Sequence, residues 1–409
     1  MHANPLYRKP DPILYGILTG VSKLACKGYF GMKVLRNELK GSSGRRVIIA
    51  NHESVMDFLT TYAVVPPRTH AVVSRSMIHS LPVSPIAEYA GIIPKNQFQT
   101  SVRDMKRMRS VLENDGILLF YPAGLMTESG MSTPIPLATA KTLKWFNADI
   151  YVAKVSGTYL TMPKWSKVRR RGKITMDVYK LASREEFAAL TPDAARALVE
   201  QHLSFDAYRN NRDHQIPFTN GDNLEGLEHV LYQCPQCGKE HTIRVEQKNR
   251  LRCSHCGFGV ESDLYGALHP LENSPDLFPY PSDWHAWIEE NIHRELLKDR
   301  ALFMETEAEF LQIDPKKHKY VPVGRGTVTM DRERFVIDGT LRDVPLHQEI
   351  LTEDFPMLPF QPGDRFEIQQ GSQIYRIRPK DGRIVMKWIL TLKVLYKLRH
   401  RLYDEILTA

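Results

Sequence analysis

Two pairs of closely spaced cysteines constrain the fold of this chain more than any other feature. Cys234 and Cys237 form one C-x-x-C pair, Cys253 and Cys256 form the second, and fifteen residues separate the pairs. Each pair places two thiolates on one tight turn, and four thiolates complete a tetrahedral shell around a zinc ion with no open position. We therefore predict a small four-cysteine zinc ribbon whose metal is structural and takes no part in catalysis.

The length and charge of the chain limit what surrounds this module. The chain has 409 residues, enough for two or three domains that each bury a core. Its formal net charge of +8 favours contact with the phosphates of nucleic acid or of anionic lipid. The longest apolar stretch, residues 13–30, is interrupted by Lys23 and Lys27, so we expect no membrane-spanning helix. Residues 1–4 lack the charged-then-apolar pattern of a secretory signal, which predicts a cytoplasmic protein.

Apolar strand-like runs alternate with helical patterns in the first half of the chain. Residues 47–50, 70–74, 117–121 and 150–155 have the composition of buried strands, and helical stretches separate them. This alternation predicts an α/β layer architecture. Ahead of it, residues 11–39 show apolar residues at three- and four-residue spacing with interleaved lysines. That pattern is typical of an amphipathic helical arm, which more often packs on a core than contacts a membrane.

The last part of the chain changes character. Short strand patterns are followed by a final basic helix, and this order resembles the pleckstrin-homology-like (GRAM-like) β-barrel domains. We expect the helix to close the barrel with Trp388 in the core, and its basic face is a candidate membrane contact. The predicted organisation is a helical arm at 1–40, the α/β domain at 41–215, the zinc ribbon with linkers at 216–282, a helical connector at 283–318 and the β-barrel-plus-helix domain at 319–409.

The most informative short stretch runs from Asn51 to Asp57 and directly follows a strand pattern. His52 and Asp57 are about 140° apart on a straight helix, so they cannot share a helix face. They meet if His52 lies at the turn after the strand and Asp57 lies in the helix that follows. The carboxylate then orients one imidazole nitrogen, and the other nitrogen is free to act as a general base on a substrate hydroxyl. Taken alone, a histidine near an aspartate is more often a structural pair.

Four blocks, in order along the chain, resemble those of the glycerolipid acyltransferase superfamily, specifically the lysophosphatidic acid acyltransferase group. The first is the N-H-x-x-x-x-D block just described, and the others lie at residues 71–96, 120–124 and 152–165. The resemblance covers about residues 10–215. It implies an acyltransferase α/β domain in which His52 is the general base and Asp57 orients it.

The same resemblance implies the reaction and its partners. A peripheral membrane O-acyltransferase would move a fatty acyl group from acyl-CoA or acyl-acyl-carrier protein to a lysophospholipid hydroxyl. The foremost acceptor is 1-acyl-sn-glycerol-3-phosphate, which would give phosphatidic acid. No catalytic metal or cofactor is implied. The expected location is the inner face of the membrane, on a surface that contains anionic lipid.

The third block departs from the family pattern and leaves the acceptor headgroup open. The expected glutamate is Ala123 and the expected arginine is Met126, while the arginine that often ends the second block is Gln97. In the family, the residues at these positions bind the acceptor phosphate. Other cations are therefore candidates to replace them, although each is as readily a solvated surface charge. The predicted substrate-binding residues are Asn51, Arg75, Lys95, Pro122, Gly124 and Lys141.

A basic cluster at residues 164–171, which includes Trp165, predicts a docking surface for anionic lipid. Two alternatives to the leading interpretation stay open. One is acyl transfer to a different lipid or to a polar alcohol. The other is a non-catalytic zinc-ribbon adaptor that binds lipid or nucleic acid. Retention of both His52 and Asp57 counts against an inactive domain, and nucleic acid is not the expected partner.

Overall fold

The chain divides into two compact units. A computed structural model describes residues 7–79, 86–96, 101–298, 301–314, 319–370 and 373–400. The first unit consists of residues 1–164 and 169–221, and the second of residues 165–168 and 222–409. Each unit has its own β-sheet structure and its own buried apolar residues.

The first unit is built on one seven-stranded sheet. Its strands are β1 (Lys33–Asn37), β2 (Arg46–Ala50), β3 (Thr69–Ser74), β4 (Ile92–Lys95), β5 (Ile117–Phe120), β6 (Asp149–Ser156) and β7 (Thr175–Ala182). Their order in the sheet is β1-β7-β6-β2-β5-β3-β4. All neighbouring strands are parallel except the antiparallel pair β6 and β7.

Helices cover both faces of this sheet. They are α1 (Pro12–Leu24), α2 (Asp57–Tyr62), α3 (Arg75–His79), α4 (Val102–Glu113), α5 (Leu137–Phe146), α6 (Thr158–Thr161), α7 (Arg184–Ala189), α8 (Pro192–Leu203) and α9 (Ala207–His214). Successive residues of β2 alternate between two cores: Val47 and Ile49 pack with α4, α5 and α8, whereas Ile48 packs with α1 and α2. A central parallel strand buried on both faces is apolar throughout, as β2 is. The predicted α/β class is confirmed.

The predicted helical arm at residues 1–40 is wrong beyond its first half. Helix α1 continues as a π-helical turn only to Tyr29, and β1 then pairs in parallel with β7. This pairing makes β1 an edge strand of the main sheet, so the α/β domain begins before residue 41. Four of the five β1 residues are exposed, which explains why the segment carries no strand signal.

The second unit begins with a small antiparallel sheet around the cysteines. Its strands are β8 (Ile243–Glu246), β9 (Arg250–Cys253), β10 (Gly259–Ser262) and β11 (Leu268–Pro270), in the order β11-β10-β9-β8. Helix α10 (Pro281–Lys298) follows, and its Trp284 and Ile288 are completely buried. The side chain of Trp284 donates a hydrogen bond to the carbonyl of Gln233, 2.9 Å away, which ties the helix to the ribbon.

A second seven-stranded sheet completes this unit. Its strands are β12 (Met304–Asp314), β13 (Lys319–Met330), β14 (Arg334–Leu341), β15 (Val344–Leu351), β16 (Phe360–Gln361), β17 (Arg365–Gln370) and β18 (Gln373–Pro379). They form an antiparallel sheet in the order β15-β14-β13-β12-β18-β17-β16, and helix α11 (Val385–Arg399) follows. The predicted antiparallel domain with a final helix is confirmed. Its first strand starts at Met304, so the expected boundary at residue 319 falls between two paired strands.

Helix α11 packs its apolar residues inward. Trp388 is buried, stacks on Phe366 and meets Phe335 edge-on. Its basic side chains form ion pairs within the unit and do not present an open charged face. The pairs are Lys387 with Glu240, Lys393 and Lys397 with Glu289, and Arg399 with Glu353. Each of these four basic side chains thus has an acidic partner, contact of this face with a membrane stays a prediction, and Arg401 lies outside the described residues.

Candidate active site and metal centre

The predicted site residues of the first unit gather at one edge of its sheet. Strands β2, β3, β4, β5 and β6 run in the same direction, so their carboxyl ends meet at this edge. Asn51 and His52 follow β2, Arg75 follows β3, Lys95 ends β4 and Pro122 lies just beyond β5. Ligands of open parallel sheets bind at this edge, because the loops that follow the strands converge there.

His52 and Asp57 form a hydrogen-bonded pair. His52 lies in the turn that follows β2, and Asp57 is the first residue of α2. The Nδ1 atom of His52 lies 2.9 Å from Oδ2 of Asp57, so the contact expected from the sequence is present. The Asp57 side chain is fully buried, whereas that of His52 is 20% exposed. Across residues 7–79 and the other described ranges, Nε2 of His52 makes no hydrogen bond.

Two further donors hold the Asp57 carboxylate. The backbone N–H of Ser54 donates to Oδ2 over 2.8 Å, and the hydroxyl of Thr158 donates to Oδ1 over 2.6 Å. Thr158 is the first residue of α6 and follows β6. With His52 these groups provide three donors to one buried carboxylate. The orientation of the imidazole is therefore fixed through an aspartate that is itself held in place.

Glu53 shares the partner Thr158 with Asp57, and no sequence pattern indicates it as a site residue. It is buried, and its Oε1 accepts a hydrogen bond from Nδ2 of Asn51 over 3.2 Å. Its Oε2 lies 3.1 Å from both the backbone N of Tyr159 and Oγ1 of Thr158. Burial, and second the charge of Asp57, raise the pKa of Glu53 to about 8. At pH 7 this carboxyl group is mostly neutral.

Tyr121 is a second site residue whose contact with His52 no sequence pattern indicates. Its ring stacks on the imidazole of His52, with centroids 4.3 Å apart and planes 25° from parallel. The hydroxyl of Tyr121 donates to Oγ1 of Thr61 over 3.2 Å. Burial, and then the charge of Asp57, raise the pKa of Tyr121, so the phenol stays neutral. The stacked ring restricts rotation of the imidazole.

Asn51 does not reach outward as a substrate-binding residue would. Its side chain is buried, its Nδ2 donates to the carbonyl of Val155 over 2.8 Å, and its Oδ1 accepts from the Val155 N–H over 2.8 Å. These two hydrogen bonds, with the one to Glu53, occupy both amide hydrogens. Asn51 therefore joins the turn after β2 to β6, and a part in substrate binding stays a prediction.

Pro122 and Gly124 shape the turn that follows β5. The N–H of Gly124 donates to the carbonyl of Tyr121 over 3.0 Å, and Gly124 has a φ of +76°. A residue without Cβ adopts this conformation at little cost. The backbone of the same loop returns to the site, because the N–H of Thr127 donates to the carbonyl of His52 over 3.2 Å. The loop therefore contacts the histidine through its backbone at Thr127.

Of the three predicted cations, the structure brings two together. Arg75 donates from Nε to Oδ1 of Asn96 over 3.0 Å, and the residue before it, Ser74, pairs with Lys95 across β3 and β4. Burial lowers the pKa of Lys95, and the nearby carboxylate of Asp104 partly opposes this shift. Lys141 is exposed on α5, and no contact among the described residues joins it to His52 or Asp57. Gln97 lies outside the described residues.

Part of the basic cluster at residues 164–171 makes contacts within the protein. Trp165 and Arg170 are buried, and Arg170 donates to the carbonyl of Asn220 over 3.2 Å. The guanidinium of Arg169 lies 3.2 Å from the ring centroid of Tyr29. The buried ring of Trp165 is not available to enter a bilayer, whereas Lys167 and Arg171 are exposed, so lipid docking by the basic residues stays a prediction.

The four cysteines of the two C-x-x-C pairs converge in the second unit. Their Sγ atoms all lie within 4.8 Å of one another. Cys234 and Cys256 are 3.6 Å apart, and Cys237 and Cys253 are 3.8 Å apart. A tetrahedral ion with metal–sulfur bonds of ~2.3 Å requires sulfur–sulfur edges of ~3.8 Å, so one ion fits this set.

The backbone around the cysteines has the form that a metal knuckle needs. Gly238 and Gly257 follow the two pairs with φ of +72° and +80°. Their N–H groups donate back to the carbonyls of Cys234 and Cys253 over 2.9 Å and 3.0 Å. Both turns therefore direct two thiols to one point. With four protein ligands no position is left for a substrate, as in structural metal sites.

Comparisons with known proteins concern mainly the first unit. The family model described as Acyltransferase matches residues 32–165, the range that contains His52, Asp57 and Thr158. No curated protein matches the chain. Among solved structures, the chain is similar to the 1-acyl-sn-glycerophosphate (LPA) acyltransferase PlsC from Thermotoga maritima, with 15% identity, a TM-score of 0.41, and coverage of 49% of this chain and 79% of that one. It is also similar to the Ran-binding domain of Nup2 from Ashbya gossypii, with 15% identity, a TM-score of 0.19, and coverage of 24% and 99%.

Proposed function

We propose that this chain, whose residues 32–165 match the family model described as Acyltransferase, transfers a fatty acyl group from a thioester to the hydroxyl of a lysophospholipid. The donor would be acyl-CoA or acyl-acyl-carrier protein. The foremost acceptor is 1-acyl-sn-glycerol-3-phosphate, with phosphatidic acid as the product. The observation that carries the proposal is the hydrogen bond between His52 and the buried Asp57 at the carboxyl edge of the sheet.

The proposed mechanism uses His52 first as a base and then as an acid. Nε2 takes the proton from the acceptor hydroxyl as its oxygen attacks the thioester carbonyl, and Asp57 stabilises the imidazolium that forms. When the tetrahedral intermediate collapses, the carbon–sulfur bond breaks and the thiolate takes the proton from Nε2. The imidazole is thereby restored to its starting state. An aliphatic hydroxyl is a poor nucleophile at neutral pH, which is why a positioned base matters.

Arg75 and Lys95 are the proposed partners of the acceptor phosphate. Both lie at the ends of neighbouring strands, at the same edge as His52. A second candidate acceptor, another lipid or polar alcohol, is favoured by the loop after β5. There Ala123 and Met126 offer no charge where the family pattern has a glutamate and an arginine.

An acceptor screen tests the reaction and separates these two candidates. Purified full-length protein would be incubated with labelled acyl-CoA or acyl-acyl-carrier protein and a panel of lysolipids and polar alcohols. We expect the product of lysophosphatidic acid to form fastest. Arg75→Gln should raise KM for that acceptor without changing KM for an uncharged one. Faster acylation of an uncharged alcohol than of lysophosphatidic acid would contradict the proposal of a phosphate-bearing acceptor. Absence of product with every combination of donor and acceptor would contradict acyl transfer itself.

A membrane surface is the proposed source of the acceptor, and α1 is the proposed contact. No helix among the described residues is long and apolar enough to cross a bilayer. One face of α1 nevertheless leaves Ile13, Ile17, Val21 and Leu24 between 56% and 76% exposed. Their spacing places them in one stripe, and the exposed Lys23 and Lys27 flank it. The expectation that the whole apolar pattern packs on a core holds only for the opposite face, which includes the buried Tyr15.

Replacing Ile17 and Val21 together with glutamine should weaken vesicle binding by roughly tenfold or more, since less apolar surface enters the interface. Co-sedimentation with phosphatidylcholine vesicles, with and without phosphatidylglycerol, measures the effect. Binding of the wild type should increase with the anionic lipid, because of the lysines.

A matched control for this pair is Phe303→Gln with Val344→Gln, because both residues are 64% exposed and lie in the second unit. The control should bind vesicles as the wild type does. Equal losses in the two double variants would show that general surface polarity matters and that the α1 stripe has no special role.

A further inference from the structure

We infer that Glu53 and Thr158 are positioning residues of the proposed reaction: Glu53, as a neutral acid, donates a hydrogen bond to Thr158, and Thr158 donates in turn to Asp57. The Nδ1–H of His52 donates to the same aspartate from its other side. This inference rests on the proposed acyl transfer and deepens it. It assigns the two residues that hold the aspartate, which in turn holds the base.

Counting hydrogens leads to this arrangement. The hydroxyl of Thr158 has one hydrogen but lies 2.6 Å from Oδ1 of Asp57 and 3.1 Å from Oε2 of Glu53. It can donate to only one of them, and the shorter contact is the one to Asp57. The contact between Thr158 and Glu53 is then a hydrogen bond only if Glu53 carries the proton. If both carboxylates were ionised, Oγ1 of Thr158 and Oε2 of Glu53 would face each other with no hydrogen between them.

The other partners of Glu53 determine which of its oxygens holds the proton. Oε1 accepts from Asn51, whose amide orientation is fixed by its two hydrogen bonds to Val155. Oε2 is therefore the hydroxyl oxygen. It can donate to Thr158 and still accept from the Tyr159 N–H through a lone pair.

The charged groups near Glu53 agree with this assignment. Asp57 faces it from α2, and burial together with the charge of Asp57 raises the pKa of Glu53 to about 8. Lys154, on β6, is the cation that attracts Glu53, but burial lowers the pKa of this lysine. Lys154 forms no ion pair with Glu53 among the described residues. His52 lies on the far side of Asp57.

The arrangement predicts how activity changes on the alkaline side. Glu53 keeps its proton below its pKa and loses it as the pH rises through about 8. A second negative charge then appears beside Asp57, and Thr158 has one hydrogen for two carboxylates. The wild-type turnover number should therefore fall above pH 8. In Glu53→Gln, whose side chain cannot ionise, we expect a lower turnover number that does not fall above pH 8.

Variants of Thr158 test the positioning role. Thr158→Val removes the hydroxyl but keeps the shape, and it should lower the turnover number by roughly 10- to 100-fold, as expected for a lost hydrogen bond to a charged group. Thr158→Ser keeps the hydroxyl and should retain most of the activity. KM for the donor should stay within about twofold in both variants. Equal activity of the valine and serine variants would overturn the role of the hydroxyl.

Infrared spectroscopy tests the proton on Glu53 without any turnover. The difference spectrum of the wild type minus Glu53→Gln at pH 7 should contain the C=O band of a protonated carboxylic acid, and this band should disappear above pH 9. Glu289→Gln is the matched control: the Glu289 side chain is only 13% exposed, and although burial opposes the shift, its pairs with Lys393 and Lys397 lower its pKa. Its difference spectrum should show carboxylate bands only.

The outcomes separate this inference from the proposed function. A protein that acylates lysolipids but lacks the protonated band at pH 7 would overturn the inference alone. A protein that shows the band but acylates nothing would overturn the proposed function alone. If Glu53→Gln does not fold, Thr158→Val provides the same test, because loss of the acceptor should shift the band to higher frequency. An unshifted band would contradict the hydrogen bond between Glu53 and Thr158.

Discussion

His52→Ala is expected to lower the turnover number for acyl transfer by roughly 10²- to 10⁴-fold, the usual contribution of a positioned general base. The reason is that Nε2 is the proposed proton acceptor for the substrate hydroxyl, and alanine offers no replacement. Initial rates with acyl-CoA and the best acceptor from the screen would measure the effect. Because the imidazole is proposed to act on the acceptor hydroxyl, KM for the donor should change little.

Two further variants keep this test decisive. His52→Gln retains an amide that can donate to Asp57 but cannot act as a base, so it should be as inactive as the alanine variant and better folded. His202→Gln removes a histidine on α8, in the same unit, whose Nδ1 pairs with the hydroxyl of Tyr179. It should keep wild-type rates. A folded glutamine variant of His52 with more than about a tenth of wild-type activity would rule out His52 as the base.

Removal of the metal is expected to have the largest effect on stability. The proposed zinc ion joins two separate turns, and structural zinc in small modules contributes ~10–16 kcal/mol of apparent binding free energy. Cys253→Ser should therefore lose the ion and expose residues 231–268 to proteolysis. Elemental analysis would measure zinc per chain, and hydrogen exchange would locate the unfolded region. The first unit should keep its folding transition, since no proposed catalytic residue belongs to the ribbon.

Cys26→Ser is the control for this experiment. Cys26 is also buried, but it lies in the first unit and outside the cluster. The variant should retain one zinc ion per chain and wild-type protection of the ribbon. If wild-type protein purified under reducing conditions contains no zinc, the proposed identity of the metal is wrong. If it contains zinc but Cys253→Ser leaves hydrogen exchange unchanged, the ion is not structural.

Parts of the fold that depend on local sequence were predictable. The spacing of the cysteines within two short turns predicts the cysteine cluster. The continuous apolar run of β2 predicts a strand that is covered on both faces. Strand β1 was not predictable because Lys33–Asn37 is mostly exposed and carries no apolar pattern. It is a strand only because β7, about 140 residues later, supplies its hydrogen bonds.

The site shows the same division between local and distant partners. The contact between His52 and Asp57 is made within one turn and could be anticipated from the chain. Glu53 lies between them in sequence, yet its environment depends on Thr158 and Tyr159, more than a hundred residues away. The lysines of α11 predicted an open basic face because their acidic partners are also distant in sequence. Their carboxylate partners lie 108 and 147 residues earlier, and no periodicity reveals them.

Those ion pairs have a consequence for the order in which the second unit matures during synthesis. The Glu289 side chain is only 13% exposed, and its partners Lys393 and Lys397 are translated about a hundred residues later. Until α11 has left the ribosome, this carboxylate must stay hydrated, so α10 cannot settle into its final packing. The cysteine ribbon needs no such late partner for its thiols. Metal capture can therefore precede helix docking, and a nascent chain stalled before residue 385 would have its four cysteines in place while α10 still lacks its partner α11.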